Sequence, residues 1–163
     1  MTNRQPKGVS TGDGMPAGSG APLKSGRDYS FKTLLSWQKA QVLLLEVMQM
    51  LKTIPNDREF AVFAQQIVRS SSAIGANIAE GHGRYSAGAY RNHLSIARGS
   101  TAETISWLDV LRRAGYISDE IEARLVALCE EIMSLVSAKM IQLDKATRTD
   151  RSIRDEREEY IVD

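Results

Sequence analysis

The 163-residue sequence has the composition of an ordinary globular protein, with 42% hydrophobic and 25% charged residues. Its single cysteine, Cys129, excludes a disulfide framework and a cysteine-rich zinc site, and favours a cytoplasmic protein. The sequence shows neither the apolar core of a signal peptide nor an apolar run near the ~20 residues of a membrane span, so we expect one domain with tails and no membrane association.

The net charge of +1 is unevenly distributed. Residues 1–28 carry +2, residues 29–146 carry +1 and residues 147–163 carry −2. We predict a disordered N-terminal tail over 1–28, a helical domain over 29–146, and a charged C-terminal tail over 147–163 that is either a frayed helix extension or disordered. Because the domain is barely basic, any binding of nucleic acid depends on where its arginines lie.

The first predicted helix begins at Ser30, as its N-cap, and runs to about Thr53 before Pro55 stops it. Its apolar face is wide, which suggests two buried sides. Either the helix belongs to a generous core, or its second side faces another subunit. Trp37 in this helix and Trp107 later in the chain fit core or interface aromatics.

The second helix is predicted to begin at Asn56, with Glu59 completing a capping box. Its apolar stripe runs from Phe60 to Ile78, and small residues between 70 and 79 would let a neighbouring helix approach closely. We expect Gly81 to lie just past the helix end, where a positive φ is needed.

Three polar residues accompany this second helix. Asn77 and Glu80 fit buried or interfacial polar anchors, and the carboxylate of Glu80 could pair with an arginine such as Arg69 or Arg98. Arg69 lies off the apolar stripe, so it is either solvated or paired, with a functional role as the alternative.

Ser86 is predicted to cap a third helix that ends at Gly115, with Leu94, Ala97, Thr101, Leu108 and Leu111 towards the core. Gly99 inside this helix costs about 1 kcal/mol relative to alanine. A close crossing with Gly75 and Ala76 of the second helix would explain it.

The fourth helix is predicted to begin after Ser118, and its apolar residues form two columns. Ile121, Leu125, Leu128, Ile132 and Leu135 form the expected core seam. Val126, Met133 and Met140 form a second column, which is either the edge of the core or an interface with another subunit.

Four helices joined by short loops predict an all-α, antiparallel up-down-up-down four-helix bundle. His82 and His93 have no cysteine partner and form no metal motif. No nucleophile–base pair or nucleotide-binding loop is visible, so we expect no enzyme activity, no cofactor, no metal and no small-molecule substrate.

Arg84, Arg91 and Arg98 are spaced by seven residues beside the third helix's apolar seam. This column is either a solvated flank or a ridge of guanidinium groups that binds phosphate. Arg112 and Arg113, at the end of the same helix, suit the negative end of the helix dipole.

The sequence resembles one family of small four-helix-bundle proteins, on three blocks: Phe31-x-x-Leu34-x-x-Trp37-Gln38-x-Ala40, Gln65-x-x-x-Arg69 with Ile74-x-x-Asn77-Ile78-Ala79-Glu80-Gly81, and Ile96-Ala97-Arg98-Gly99-Ser100-x-x-Glu103. The family includes proteins encoded in intervening sequences of 23S ribosomal RNA genes, and Avd, the accessory variability determinant of diversity-generating retroelements. The resemblance covers about residues 29–145.

The resemblance implies a bundle that assembles as a barrel-like homopentamer. For Avd it implies binding of a reverse transcriptase and its RNA through basic surface residues, which permits cDNA synthesis for mutagenic retrohoming. The candidate nucleic-acid-binding residues are then Arg69, Arg84, Arg91, Arg98, Arg112 and Arg113, and the candidate structural or interface residues are Trp37, Asn77, Glu80, Gly81, Gly99, Met133 and Met140. The alternative is an oligomeric protein-interaction scaffold whose arginines only form salt bridges between helices.

Overall fold

The computed structural model describes residues 30–54 and 58–159, and only the backbone of Glu59 and of residues 150–159. A 3-10 turn at Ser30–Thr33 precedes four α-helices: α1 (Leu35–Leu51), α2 (Arg58–His82), α3 (Ala87–Arg113) and α4 (Asp119–Glu159). The predicted all-α architecture with four helices is thereby confirmed. The predicted N-terminal tail over 1–28, the Pro55 stop and the Asn56 cap lie outside the described residues.

Each helix packs against two of the other three. The backbone of α1 lies close to α2 and α4, and that of α3 to the same two helices, whereas no Cα atoms of α1 and α3, or of α2 and α4, approach within 8 Å among the described residues. The four helices therefore surround one core, whose fully buried side chains include Leu43, Ile74, Leu108 and Ile132. α1 and α3 lie diagonally opposite each other.

The start of α1 differs from the prediction. Ser30 is not its N-cap, because Ser30 lies in the 3-10 turn and α1 begins only at Leu35, after Leu34, whose side chain makes no capping hydrogen bond. The Thr33 hydroxyl donates to the Ser30 carbonyl at 2.7 Å and closes this separate turn. The Thr33 side chain thus bonds to the backbone of the turn rather than to the start of α1.

The wide apolar surface of α1 divides into two sides. Ala40, Leu43, Val47 and Met50 are buried in the core. The opposite side is exposed in the single chain. The first of the two alternatives for α1, a helix buried on both sides by the core of its own chain, is therefore wrong.

Gly81 does not terminate α2, which continues to His82. Among the described glycines only Gly115 has a positive φ, of 78°. A Cβ at Gly81 would lie 2.7 Å from Cβ of His93 and 2.8 Å from Cδ2 of Tyr90. Gly81 is therefore explained by the close approach of α3, and not by a turn.

Gly99 does not mark a close helix crossing. A Cβ there would meet nothing within 4 Å, whereas a Cβ at Gly75 would meet Gln41 and Ala40 of α1. The predicted crossing of Gly99 with Gly75 is wrong, because the two glycines face different neighbours.

The core side of α3 is confirmed, since all five predicted residues are buried, together with Thr104, which the apolar pattern did not include. Ser86 caps α3 by accepting from the Ala89 amide at 3.1 Å. Ser118 accepts from the Ile121 amide at 3.4 Å at the start of α4.

In α4 the buried column is Leu125, Cys129, Ile132 and Val136. Ile121, Leu128 and Leu135, which the sequence placed in the core seam, are only partly buried. The helix continues to Glu159, so the predicted boundary at residue 146 falls inside it.

Candidate interaction surfaces

Five of the six candidate nucleic-acid-binding arginines form ion pairs with carboxylates of the same chain. The pairs are Arg69 with Glu103 at 3.0 Å, Arg84 with Glu80, Arg91 with Asp144 at 2.5 Å, Arg112 with Glu122 at 2.6 Å, and Arg113 with Asp109 at 2.8 Å. Three of them join two helices, α2 to α3 for Arg69, and α3 to α4 for Arg91 and Arg112. A phosphate at these five positions would compete with a carboxylate that is already in place.

The two arginines at the end of α3 belong to one charged cluster. Hydrogen bonds from Arg113 and then Arg112 hold the pKa of Asp109 below its ordinary value. The hydrogen bond to Asp109, followed by the charge of Glu122, raises the pKa of Arg112. The cluster links the C-terminus of α3 to the first turn of α4. Both arginines therefore have a structural role in addition to the expected interaction with the dipole of α3.

Arg98 differs from the other five, because it is exposed and makes no ion pair with any described residue. It borders two shallow depressions of about 280 Å³ each. Met140 and Ile141 line the first depression, and Gly99 and Met133 line the second. The predicted arginine column therefore contains one guanidinium that is free of a carboxylate, next to the two predicted interface methionines.

Asn77 and Glu80 take part in a polar contact between α2 and α3. The Asn77 amide donates to the Ala73 carbonyl at 2.8 Å, and its oxygen lies 3.3 Å from Nδ1 of His93. Nε2 of His93 lies 3.7 Å from Glu80 Oε1. Sequence reasoning missed His93 as the shared partner, and only the spatial position of α3 could have identified it.

Glu80 itself is not a buried anchor, because 53% of its side chain is exposed. Its arginine partner is Arg84, one turn further along, rather than Arg69 or Arg98. The (i, i+4) spacing of Glu80 and Arg84 is the signal that could have identified this pair.

The two tryptophans are partly buried and pack against the core. The Trp37 ring centroid lies 5.3 Å from that of Phe31, in an edge-on arrangement. The Trp107 indole N–H donates to Glu103 at 3.4 Å, and its ring lies 6.2 Å from Phe63. Both aromatics are therefore at the edge of the core.

An apolar surface, which we call the α1 outer face, lies on the exposed side of α1. It consists of Leu35, Val42, Leu45 and Met48, which are 50%, 42%, 64% and 44% exposed. Val42, Leu45 and Met48 follow one another at spacings of three, so each lies beside the next on the helix surface, and Leu35 lies two turns before Val42 on the same side.

In the part of the chain that the structure describes, no set of three His, Cys, Asp or Glu side chains is placed to hold a metal ion. None of the described helices has the length and hydropathy that crossing a membrane requires.

Comparison with known proteins places these features in a family. Residues 32–138 match the family model described as 23S rRNA-intervening sequence protein. The chain is also similar to a crystal structure from Bacteroides thetaiotaomicron VPI-5482, described as a protein with unknown function from the S23 ribosomal protein family. That match has 29% sequence identity and a TM-score of 0.61, and covers 65% of this chain and 98% of the other. No curated protein matches.

Proposed function

Since the chain belongs to the 23S rRNA-intervening sequence protein family, we propose that it is a non-enzymatic scaffold that assembles with copies of itself through the α1 outer face. The observation that carries this proposal is the exposure of four large apolar side chains on one side of α1, three of them (Val42, Leu45 and Met48) side by side. Single exposed apolar residues are normal on a protein surface, whereas a contiguous apolar row marks an interaction site.

The ion pairs of the arginines support the scaffold interpretation. Arg69, Arg91 and Arg112 join neighbouring helices, and this use of arginine stiffens the bundle without requiring a ligand. The matched family adds no catalytic description.

The proposed assembly unit is the antiparallel up-down-up-down bundle, and the proposed oligomer is the barrel-like pentamer that the resemblance implies. Pairs across the helices support the antiparallel arrangement. Lys39 contacts Glu131 and Glu46 contacts Arg124, at 2.9 and 3.4 Å, so positions in α4 fall as those in α1 rise.

Light scattering of the wild-type protein and the Leu45→Arg variant tests self-assembly. Leu45 is the most exposed member of the α1 outer face, so arginine there should leave the fold intact and abolish the oligomer. Val62→Arg is the matched control, because Val62 is 58% exposed on α2, outside that face. A wild-type monomer, or equal masses for wild type and Leu45→Arg, would contradict the proposal.

A second candidate function is an Avd-like accessory protein that binds RNA and a reverse transcriptase. The specific observation in its favour is Arg98, an exposed guanidinium without a carboxylate partner among the described residues. Assembly would repeat this group once per subunit, and multivalency would offset the low charge of each subunit.

The RNA candidate is tested by the salt dependence of binding to the template RNA. We expect affinity to fall steeply as salt rises, and Arg98→Gln to weaken binding more than Arg69→Gln, because Arg69 is already paired with Glu103. Salt-independent binding, or equal effects of the two variants, would exclude this role for Arg98.

A further inference from the structure

We propose that residues 160–163 of one copy, which we call the C-terminal segment, dock on the surface around Arg98 of a second copy. The segment has the sequence Tyr-Ile-Val-Asp and directly follows the last described residue of α4, Glu159. It is a short apolar stretch with a carboxylate, and the surface that receives it is apolar with one free guanidinium. The contact does not involve the α1 outer face.

The receiving surface consists of two shallow depressions that share Arg98. Met140 and Ile141 line the first depression, and Met133 lines the second. Each has a volume of about 280 Å³, which is below the ~300–1,000 Å³ of a typical small-molecule pocket. The depressions therefore suit single side chains of a peptide better than a whole small-molecule ligand.

Arg98 is the cation of this surface that has no carboxylate among the described residues. Arg91 also lines the first depression, but it is already paired with Asp144, which lies in the same depression. A free guanidinium beside exposed apolar side chains selects a partner that combines apolar groups with an acid.

Charge identifies the C-terminal segment, rather than the other end of the chain, as the occupant. Residues 1–28 carry +2, so they would bring further positive charge to Arg98. Residues 147–163 carry −2, and their last four place three large apolar residues beside Asp163. Of the two ends, the C-terminal one has both the sign of charge and the apolar side chains that the surface requires.

The segment and the receiving surface also match in length. Met133 and Met140 are seven residues apart on α4, which is about 10 Å along the helix axis. Four extended residues span at most about 14 Å. An extended C-terminal segment can therefore reach both depressions and the guanidinium that they share.

The segment cannot reach the depressions of its own chain. From Met140 to Glu159 the chain continues as a helix for 19 residues, about 28 Å, whereas the segment spans at most about 14 Å. The first residue of α3, Ala87, lines a pocket with Thr147 and Arg148, so the last turns of α4 extend beyond the start of α3. The receiving surface must therefore belong to a second copy.

The contact is small. Four residues bury much less than the ~1,200–2,000 Å² of a stable complex, so the contact forms transiently between separate copies. Within an assembly held by the α1 outer face, a high effective concentration would raise its occupancy.

Disulfide trapping in the full-length protein tests this contact. One copy carries Val162→Cys, since cysteine also behaves as a small hydrophobic residue, and the other carries Ile141→Cys in the first depression. Val62→Cys is the matched control, because Val62 and Ile141 are 58% and 57% exposed. All copies carry Leu45→Arg, which removes assembly through α1. Cys129 does not interfere, because it is buried.

We expect the disulfide between positions 162 and 141 to form about tenfold faster than that between 162 and 62, because docking raises the local concentration of the two thiols. Adding Arg98→Gln to the Ile141→Cys copy should slow trapping by up to about fivefold, the effect of losing one exposed ion pair. Mass spectrometry of the disulfide-linked peptides over a series of reaction times measures these rates.

Equal rates at positions 141 and 62, or a rate that Arg98→Gln leaves unchanged, would overturn the inference. A chain that carries both Val162→Cys and Ile141→Cys tests the need for a second copy, since its disulfide should join two chains and form more slowly on dilution. A disulfide within one chain, at a rate independent of dilution, would overturn docking on a second copy. None of these results affects the proposed assembly through α1, which the mass of the wild-type protein tests.

Discussion

Replacing glycine by alanine should have opposite effects at Gly81 and Gly99. At Gly81 the new Cβ would lie 2.7 Å from Cβ of His93, an atom fixed to its backbone, so α2 and α3 must move apart. Such overpacking costs about 1–3 kcal/mol. At Gly99 the new methyl group meets nothing, and the helix gains up to about 1 kcal/mol.

The two variants should therefore differ by about 1–3 kcal/mol in the free energy of unfolding, since the gain in helix propensity favours both. For a chain of this length each kcal/mol shifts the Tm by about 2–4 °C. Both variants are best made in the Leu45→Arg background, where assembly no longer contributes to stability. Urea unfolding followed by circular dichroism measures the difference. If Gly81→Ala proved as stable as Gly99→Ala, the close contact of α2 with α3 would be refuted.

Three further predictions concern the charged cluster, the thiol and the buried hydroxyl. Arg113, and then Arg112, lower the pKa of Asp109 below its ordinary value of 3.8, so the stabilisation by the Asp109 carboxylate is present above pH 3.8 and is lost as pH falls through the lower folded pKa. Asp109→Asn should therefore be destabilising at pH 7 and less destabilising as the pH falls below 3.8. Burial raises the pKa of the Cys129 thiol to about 12, so a thiol reagent should leave the native protein unmodified at pH 8 and react in urea. Thr104→Val removes the hydroxyl that donates to Ser70 at 3.0 Å and should lower the free energy of unfolding by about 1 kcal/mol.

Each of these predictions has a matched control and a contradicting result. A constant difference between Asp109→Asn and wild type from pH 7 to pH 2, in urea unfolding, would contradict the effect of the arginines. Rapid labelling of native Cys129 would show that its surroundings open readily. The control for Thr104→Val is Thr147→Val, which removes an exposed hydroxyl that donates to the Leu143 carbonyl. If both variants lowered the free energy of unfolding equally, the buried hydrogen bond of Thr104 would not contribute specifically to stability.

The helices were predictable because each has its own periodic signal. The three-four pattern of α3 identified a buried side that the structure confirms, and Ser86 marks the start of that helix through a local hydrogen bond. Both features depend on residues close together in the sequence, so a single chain segment specifies them.

The features that depended on another helix were not predictable. Gly81 and Gly99 are the same residue type in helical surroundings, and only the position of α3 shows that one is tightly packed and the other open. Likewise, α1 has apolar residues on both sides, and periodicity alone cannot tell which side the other helices cover.

The ion pairs of the candidate arginines were also not predictable from the sequence, because they too depend on the position of another helix. Spacing placed Arg91 and Arg98 in one column, but their environments differ, since Arg91 is paired with Asp144 on α4 and Arg98 has no such partner among the described residues. Asp144 lies 53 residues beyond Arg91 in the sequence, so the pair arises only from the packing of α3 against α4.

The central claim is self-assembly through the α1 outer face, and the most direct test is the mass of the purified protein over a range of concentrations, beside Leu45→Arg. We expect the wild-type protein to have a defined multiple of the chain mass and Leu45→Arg to have the mass of one chain. A wild-type protein that stays at the mass of one chain at all concentrations would contradict it.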